Sequence, residues 1–297
     1  MCASGAVCCK DMLRFLRARF LFAFLVVLIA VSSVLIEKTL TPRVLTVSFL
    51  NVGDGEAILV RTPSGNTFLI NAGPDARVLR ELGTTLPFWL RRIDAGMSTS
   101  VRAGDMAGFA HVFPRYRTSQ YFVAPEIEQT HTSAAAAEAA RTHDVQIEPF
   151  VSGMRIELAD GVIFDVAYAG KDGSVVKLSY GETAFLFIGN LAPSARAKLA
   201  AAHAADGLLS AHVLAIPGRG AESALDEAWL HAVRPAYAVI SVGKDNRYGY
   251  PDEKTFRLLN SAGTKVLRTD MDGRIPFTSD GRTVEMEVRT TPALSLF

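Results

Sequence analysis

The chain has 297 residues, of which 49% are hydrophobic, so it can bury a sizeable core and lacks the composition of a long disordered protein. Its net charge of +1 divides into +3 over residues 1–40 and −2 over residues 41–297, which excludes a body that binds nucleic acid through general basicity. All three cysteines, Cys2, Cys8 and Cys9, lie at the N-terminus, so the body has neither a disulfide nor a thiolate metal site.

The first predicted element is an apolar helix at residues 20–36, which contains no charged side chain. Its length approaches that of a bilayer core, and Arg19 and Lys38 can extend it by snorkelling. By the positive-inside rule, the basic residues of segment 1–19 place the N-terminus in the cytoplasm and the body outside. We expect an uncleaved, single-pass anchor in the cytoplasmic membrane, followed by a linker at 37–43. A cleaved signal peptide stays the alternative, and a buried core helix is a weaker one.

After this linker the spacing of apolar residues predicts alternating strands and helices. The first half predicts strands at 43–52, 55–62, 67–73, 92–97, 145–150, 153–158, 162–168 and 174–180, with helices at 75–83 and 133–142. The second half predicts strands at 183–189, 211–217, 236–243, 264–268, 274–278 and 283–288, with helices at 193–205, 222–233 and 251–262. Two sets of strands with helices favour an α/β sandwich over 44–290, with a tail at 291–297. A mixed α+β domain is the alternative.

Several stretches of the body occur in the same order in one known family. They are VSFLNVGDGEAILVRTPSGNTFLINAG, LPFWLRRIDA, GSVVKLSYGETAFLFIGN, AVRPAYAVISVGKDNRYGYP and VLRTDMDGRI. These stretches resemble the metallo-β-lactamase-fold C-terminal domain of the ComEC family of competence DNA-uptake channels, and the likeness covers about residues 44–288. The resemblance implies a metallo-β-lactamase-like αββα sandwich, preceded in this chain by one N-terminal transmembrane helix.

The resemblance also implies a metal site, but other residues occupy its ligand positions here. The family's His-x-Asp-x-Asp-His loop aligns with Ser100, Arg102, Gly104 and Asp105, and the other ligand positions align with Asn51, Asn71, Asn190, Gly218, Arg219 and Tyr250. Asparagine keeps the shape of aspartate without its charge, and arginine repels an arriving cation. We therefore expect no metal, no other cofactor and no catalytic residue. The alternative is a hydrolase or nuclease with an altered Zn or Mn site.

Other polar residues of the body carry weaker predictions. Among the histidines, only His111 lies close enough to the degenerate loop to act there, and a surface histidine is the simpler interpretation. Asp54 and Asp105 lack the further oxygen ligands that a hard cation needs. Ser100 lacks a His/Asp partner for nucleophilic catalysis. We expect Glu56 to face solvent at a strand start.

Arginine beside aromatic residues is a combination that binds single-stranded nucleic acid. Asn246, Arg247 and Tyr248 fit this pattern, and the resemblance places Arg102 and Arg219 in the family's active-site cleft. These five residues are candidate contacts for phosphate or for single- or double-stranded DNA. Surface arginine packed on tyrosine is the alternative. We expect a catalytically inactive binding or assembly module, held at the membrane by its N-terminal helix, with DNA-uptake channel components as partners. A decayed gene fragment without a role is a further alternative.

Overall fold

The computed structural model describes residues 19–29, 32, 44–125, 130–171, 173–244 and 246–287. The chain separates into two compact units, Met1–Arg43 and Val44–Phe297. In the first unit, residues 19–29 form helix α1, whose apolar side chains are exposed. No helix within the described residues is both long and apolar enough to cross a membrane. The predicted anchor lies only partly within those residues, and the predicted linker and tail lie outside them.

The first half of the second unit is mostly sheet. Its elements are β1 (Leu45–Phe49), β2 (Ala57–Arg61), β3 (Thr67–Ala72), α2 (Arg77–Thr85), β4 (Arg92–Ser98), α3 (Ala103–Met106), α4 (Phe109–Val112), β5 (Arg117–Val123), α5 (His131–Thr142), β6 (Gln146–Pro149), β7 (Arg155–Glu157), β8 (Val162–Gly170) and β9 (Gly173–Tyr180).

The second half alternates strands and helices. It comprises β10 (Thr183–Ile188), α6 (Pro193–Ala202), β11 (Val213–Ile216), short 3-10 helices at Pro217–Gly220 and Glu222–Ala224, α7 (Glu227–Val233), β12 (Tyr237–Ile240), α8 (Glu253–Ser261), β13 (Lys265–Arg268), α9 (Thr269–Asp272), β14 (Ile275–Ser279) and β15 (Val284–Met286).

Among the described residues, the strands form two sheets. One has eight strands in the order β15-β14-β1-β2-β3-β4-β5-β6, and the other has seven in the order β13-β12-β11-β10-β9-β8-β7. Strands β3 to β6 run parallel to one another, as do β10 to β13. Because parallel strands end at a common sheet edge, the loops that follow them are brought together there.

The main hydrophobic core lies between the two sheets and contains residues from both, such as Phe49, Phe185 and Phe277. A second cluster packs α2 to α5 against the outer face of the eight-stranded sheet. A third packs α6 to α8 against the outer face of the seven-stranded sheet. The layers are therefore helix, sheet, sheet and helix, as expected for the metallo-β-lactamase fold.

The central strands are buried on both faces. Every residue of β3 (TFLINA) and β10 (TAFLFI) is buried, so these strands are mostly apolar and do not alternate between polar and apolar residues. Strand β5 and helices α3 and α4 are absent from the elements predicted above. The sequence of β5 opens with the polar residues RTSQ, which hide the strand from hydrophobic periodicity.

The inter-sheet core yields a stability prediction at Phe277, which is fully buried against the rings of Phe49, Phe185 and Tyr237. Phe277→Ala should lower the free energy of unfolding by about 3–5 kcal/mol, because it leaves a cavity between the sheets. The matched control is Phe88→Ala, where the ring is 79% exposed, which should cost less than about 0.5 kcal/mol. Chemical denaturation followed by circular dichroism measures both. Equal losses would contradict the assignment of Phe277 to the core.

Candidate functional site

The candidate site lies where the ends of several strands from both sheets meet. Loops that follow β1, β4, β10, β11 and β12 enclose a small cavity of about 90 Å³. Its lining residues are Asp54, Gly55, Glu56, Arg102, Gly104, Asp105, Ile188, Asn190, Ile216, Pro217, Gly218, Arg219 and Ser241. Two of these loops touch through their backbones, since the Glu56 amide donates to the Gly104 carbonyl at 3.2 Å. The close approach leaves no room for a side chain at Gly55.

Most of the positions singled out by the resemblance lie at this cavity. Arg102, Gly104, Asp105, Asn190, Gly218 and Arg219 line it directly. Asn71 and Ser100 are buried behind the cavity wall. Asn71 forms a hydrogen bond with Glu56, and Ser100 forms one with Asp105, and both of these partners line the cavity. Asn51 instead lines a neighbouring cavity of about 330 Å³, where its Oδ1 accepts a hydrogen bond from the Gly53 amide at 3.4 Å.

Asn71 holds the buried centre of the site together. Its Nδ2 donates to Glu56 Oε1 at 2.7 Å and to Thr99 Oγ1 at 2.9 Å, and its Oδ1 accepts from the Thr99 amide at 3.0 Å. The residue has a left-handed backbone (φ 54°), which asparagine tolerates better than most residues. An aspartate here would lack the N–H donors for Glu56 Oε1 and Thr99 Oγ1. The amide therefore fits this network as a carboxylate would not.

Glu56 is buried, contrary to the expectation that it faces solvent. Burial raises the pKa of its carboxyl to about 8, the Asp105 carboxylate adds to the rise, and the Asn71 hydrogen bond opposes it. Glu56 is therefore mostly protonated at neutral pH and adds little negative charge to the cavity. The sequence shows it only as a lone charged residue immediately before the apolar strand β2.

Asp105 faces the two arginines of the cavity. Burial raises the pKa of its carboxyl, while a hydrogen bond with Ser100 and the positive charges of Arg102 and Arg219 oppose that rise. Asp54 is held separately, since its Oδ1 accepts a hydrogen bond from the Gly243 amide at 3.0 Å. The carboxylates of the cavity are thus engaged by protein donors and guanidinium charges.

Arg219 sits on a strained turn that aims its side chain across the site. Gly218, Arg219 and Gly220 all have left-handed φ values (61°, 61° and 75°), which is uncommon for arginine. Its guanidinium carbon lies 5.0 Å from the ring centre of Tyr248 and 5.7 Å from that of Tyr250. The turn therefore holds a cation against two aromatic rings at the mouth of the cavity.

Arg219, Arg247, Tyr248 and Tyr250 form what we call the arginine–tyrosine cluster. The two tyrosine rings stack with centroids 5.5 Å apart, and the Arg247 guanidinium carbon lies 4.9 Å from the Tyr248 ring centre. Arg247 Nη2 also donates to Tyr248 Oη at 2.8 Å. Arg102 shares a cleft of about 310 Å³ with Arg219, Tyr248 and Tyr250, which joins the cavity to this cluster.

Asn246 stabilises the loop that carries the cluster and is not itself part of the cluster. Its side chain donates to the carbonyls of Gly243 at 3.2 Å and Tyr250 at 2.8 Å, and it accepts from the Tyr250 amide at 2.7 Å. These bonds close the loop that carries Arg247 and Tyr248. The cluster includes Tyr250, which the family alignment marks only as a replaced ligand position.

Other candidate groups lie away from the cavity or are engaged elsewhere. His111 is exposed and does not line it. His212 Nδ1 accepts a hydrogen bond from the Ala184 amide at 3.2 Å. Ser100 is buried, and its Oγ accepts from the Arg102 amide at 3.2 Å.

The donors at the cavity do not fit the dinuclear metal site that the fold family implies. Asn71, Ser100 and Asn190 offer neutral side chains at positions where the resemblance implies carboxylate or imidazole ligands. Arg102 and Arg219 place two positive charges on the cavity wall. Within the described ranges, no group of three or more His, Cys, Asp or Glu side chains is arranged to hold a metal ion.

No protein-family model matches this chain. Its sequence is 36% identical over 69 residues to ComE operon protein 3 of Bacillus subtilis, covering 23% of this chain and 9% of that protein. It is 32% identical over 103 residues to competence protein ComA of Neisseria gonorrhoeae, covering 35% of this chain and 15% of that protein. The matches therefore span only a small part of each relative.

Solved structures match a larger share of the chain. The metallo-β-lactamase fold protein YhfI of Bacillus subtilis superposes with a TM-score of 0.52 at 9% identity, over 75% of this chain and 95% of that one. CmlA, a diiron β-hydroxylase of Streptomyces venezuelae, superposes with a TM-score of 0.50 at 14% identity, over 80% of this chain and 54% of that one. Identities this low show the fold alone.

The fold and the layered core define this chain as a metallo-β-lactamase-fold protein. The matches to ComE operon protein 3 and competence protein ComA confirm the resemblance to the metallo-β-lactamase-fold domain of the ComEC family, with degenerate metal-ligand motifs in this chain.

The raised pKa of Glu56 makes a prediction about pH. The folded state holds this proton up to about pH 8, whereas a glutamate carboxyl of the unfolded chain loses it near its ordinary pKa of 4.5. The folded state therefore binds more protons between these values, so the free energy of unfolding should fall as pH rises through this window. Glu56→Gln keeps an acceptor for Asn71 and should flatten most of the fall.

Chemical denaturation between pH 5 and 8.5 measures this effect. The control is Glu138→Gln on α5, whose side chain is 73% exposed, and this variant should keep the wild-type slope. Asp105, whose pKa is also raised, should leave a residual slope in Glu56→Gln. Parallel slopes for wild type and Glu56→Gln would contradict a protonated Glu56.

Proposed function

We propose that this protein is a catalytically inactive, membrane-anchored metallo-β-lactamase-fold module that binds single-stranded DNA through its metal-free cleft. Residues 20–36 anchor it, with the N-terminus in the cytoplasm and the domain outside. The uncharged apolar stretch and the basic residues that precede it support this topology. The match to competence protein ComA, together with the resemblance to the ComEC family, supports a place among DNA-uptake channel components.

The arginine–tyrosine cluster is the observation that carries the proposal. Single-stranded nucleic acids bind to surfaces that combine cations for the backbone with aromatic rings for the bases. Tyr248 is 49% exposed although it contacts Arg219, Arg247 and Tyr250, so part of its surface is open to a base. Guanidinium groups held against rings lose less side-chain entropy when they bind a phosphate.

The charge of the cleft also suits an anion better than a cation. Arg102, Arg219 and Arg247 provide the positive charge on its rim and wall. Protonation of Glu56 removes one opposing charge at neutral pH, and Asp54 is tied to the Gly243 amide. A phosphodiester at the rim therefore meets cations before it meets the buried carboxylates.

Removal of the three cleft charges tests this proposal. The triple variant Arg102→Gln, Arg219→Gln, Arg247→Gln should weaken binding of a fluorescent single-stranded oligonucleotide by about 10²-fold or more at low salt. The slope of log K against log[salt] should fall in magnitude by about 2, since each phosphate contact on a single strand contributes about 0.7. Fluorescence anisotropy over a salt series measures both quantities.

The control removes the same charge elsewhere, through Arg141→Gln on α5, Arg155→Gln on β7 and Arg282→Gln in the β14–β15 turn. This variant should keep the wild-type affinity within a few-fold. Equal losses of affinity in the two triple variants would show that binding depends only on the overall charge and would contradict a cleft site. Cleavage of the oligonucleotide on addition of Mn²⁺ or Zn²⁺ would instead favour the hydrolase alternative.

A further inference from the structure

A pair of exposed aromatic rings lies at the opposite end of β4 from the candidate site. Phe88 is 79% exposed and Trp89 is 71% exposed, and their ring centroids are 4.8 Å apart in an edge-to-face arrangement. They form the tip of the turn between α2 and β4, which is closed by a hydrogen bond from the Leu90 amide to the Pro87 carbonyl at 2.9 Å. Leu86 is buried at the base of this turn and holds it to the domain.

Arginines surround this aromatic pair. Arg91 and Arg92 follow it in the chain after Leu90. Arg115 and Arg117 lie on the neighbouring segment, which leads into β5. The Arg117 amide donates to the Arg91 carbonyl at 2.9 Å, and Arg117 lies opposite Arg92 in the β4–β5 register. All four residues are exposed. Segments 86–94 and 114–118 together carry these four arginines and one acid, Asp94, which gives a net charge of +3.

The nearby partners of these arginines leave the patch cationic. Arg92 forms an ion pair with Asp94, whereas the Arg91 guanidinium donates to Tyr116 Oη at 3.2 Å, a neutral acceptor. Arg115 Nη1 donates to the His111 carbonyl at 3.3 Å, which is also uncharged. The charge of the second unit as a whole is slightly negative, so this positive local charge is a departure from its average composition.

We propose that Phe88, Trp89 and the surrounding arginines dock onto the surface of an anionic lipid bilayer. Aromatic rings with apolar bodies settle at the boundary between headgroups and acyl chains, and arginines beside them bind anionic headgroups. The charge complementarity favours lipid over an apolar protein face, which would leave the four guanidiniums unmatched. Strand β4 has seven residues, so docking through the turn places the candidate cleft about 20 Å farther from the bilayer surface.

Tryptophan fluorescence tests this docking directly, because the chain has two tryptophans and the other, Trp229, is fully buried. The full chain is reconstituted into vesicles of phosphatidylcholine alone or with phosphatidylglycerol, each made with brominated acyl chains. Trp89→Phe supplies the spectrum of Trp229, which is subtracted. The Trp89 signal should shift to shorter wavelength and lose at least half its intensity in the anionic vesicles, with clearly less quenching in the neutral ones.

Variants and a second quencher separate the outcomes. Arg91→Glu with Arg117→Glu should reduce bromine quenching several-fold, whereas Arg141→Glu with Arg155→Glu, on α5 and β7, should not. A Trp89 signal that stays open to aqueous acrylamide and insensitive to bromine in both vesicles would overturn the proposal. Protection from acrylamide without bromine quenching would assign the patch to a protein partner and overturn it equally. Vesicle flotation of the Trp89→Phe chain reports the N-terminal anchor separately, so failure of the docking surface is distinguishable from failure of the anchor.

Discussion

The amide of Asn71 is the interaction on which the candidate site depends. It joins the end of β3 to Glu56 and Thr99 with three hydrogen bonds, in a buried place where an unpaired polar group would be costly. The hydrogen bond from Asn71 favours the ionised form of Glu56, but burial outweighs it, so the carboxyl stays mostly protonated at neutral pH. The same logic extends to Asp105, which is balanced by Ser100, Arg102 and Arg219. The buried carboxyls of Glu56 and Asp105 thus find partners within the protein, and Arg102 and Arg219 line the cavity beside them.

Most of the fold is predictable from the sequence because its strands are either alternating or continuously apolar. Turn signals such as Pro63-Ser64-Gly65-Asn66 mark the connection between β2 and β3, and proline at residue 193 begins α6 as expected. Strand β5 is missed because its first residues are polar, and its place is set by parallel pairing with β4 and β6. Long-range pairing of this kind leaves no local signal in the sequence.

The site is predictable in outline only. A family alignment brings Arg102, Asp105, Asn190 and Arg219 to one cavity, because the loops that follow the strands converge at one sheet edge. It gives no information on the burial of Glu56 or on the contact of Arg219 with Tyr248 and Tyr250, which depend on side-chain packing between distant loops. Asn51 aligns with a ligand position but lines the neighbouring cavity.

The most direct test of this account is the metal content of the folded chain. The purified full chain is equilibrated with Zn²⁺ or Mn²⁺, freed of unbound metal on a desalting column and measured by plasma mass spectrometry. A cavity stabilised by Asn71 and two arginines should retain far less than one ion per chain. It should retain the same small amount when Glu56→Gln and Asp105→Asn are introduced together. One or two ions per chain that disappear in this double variant would contradict the account.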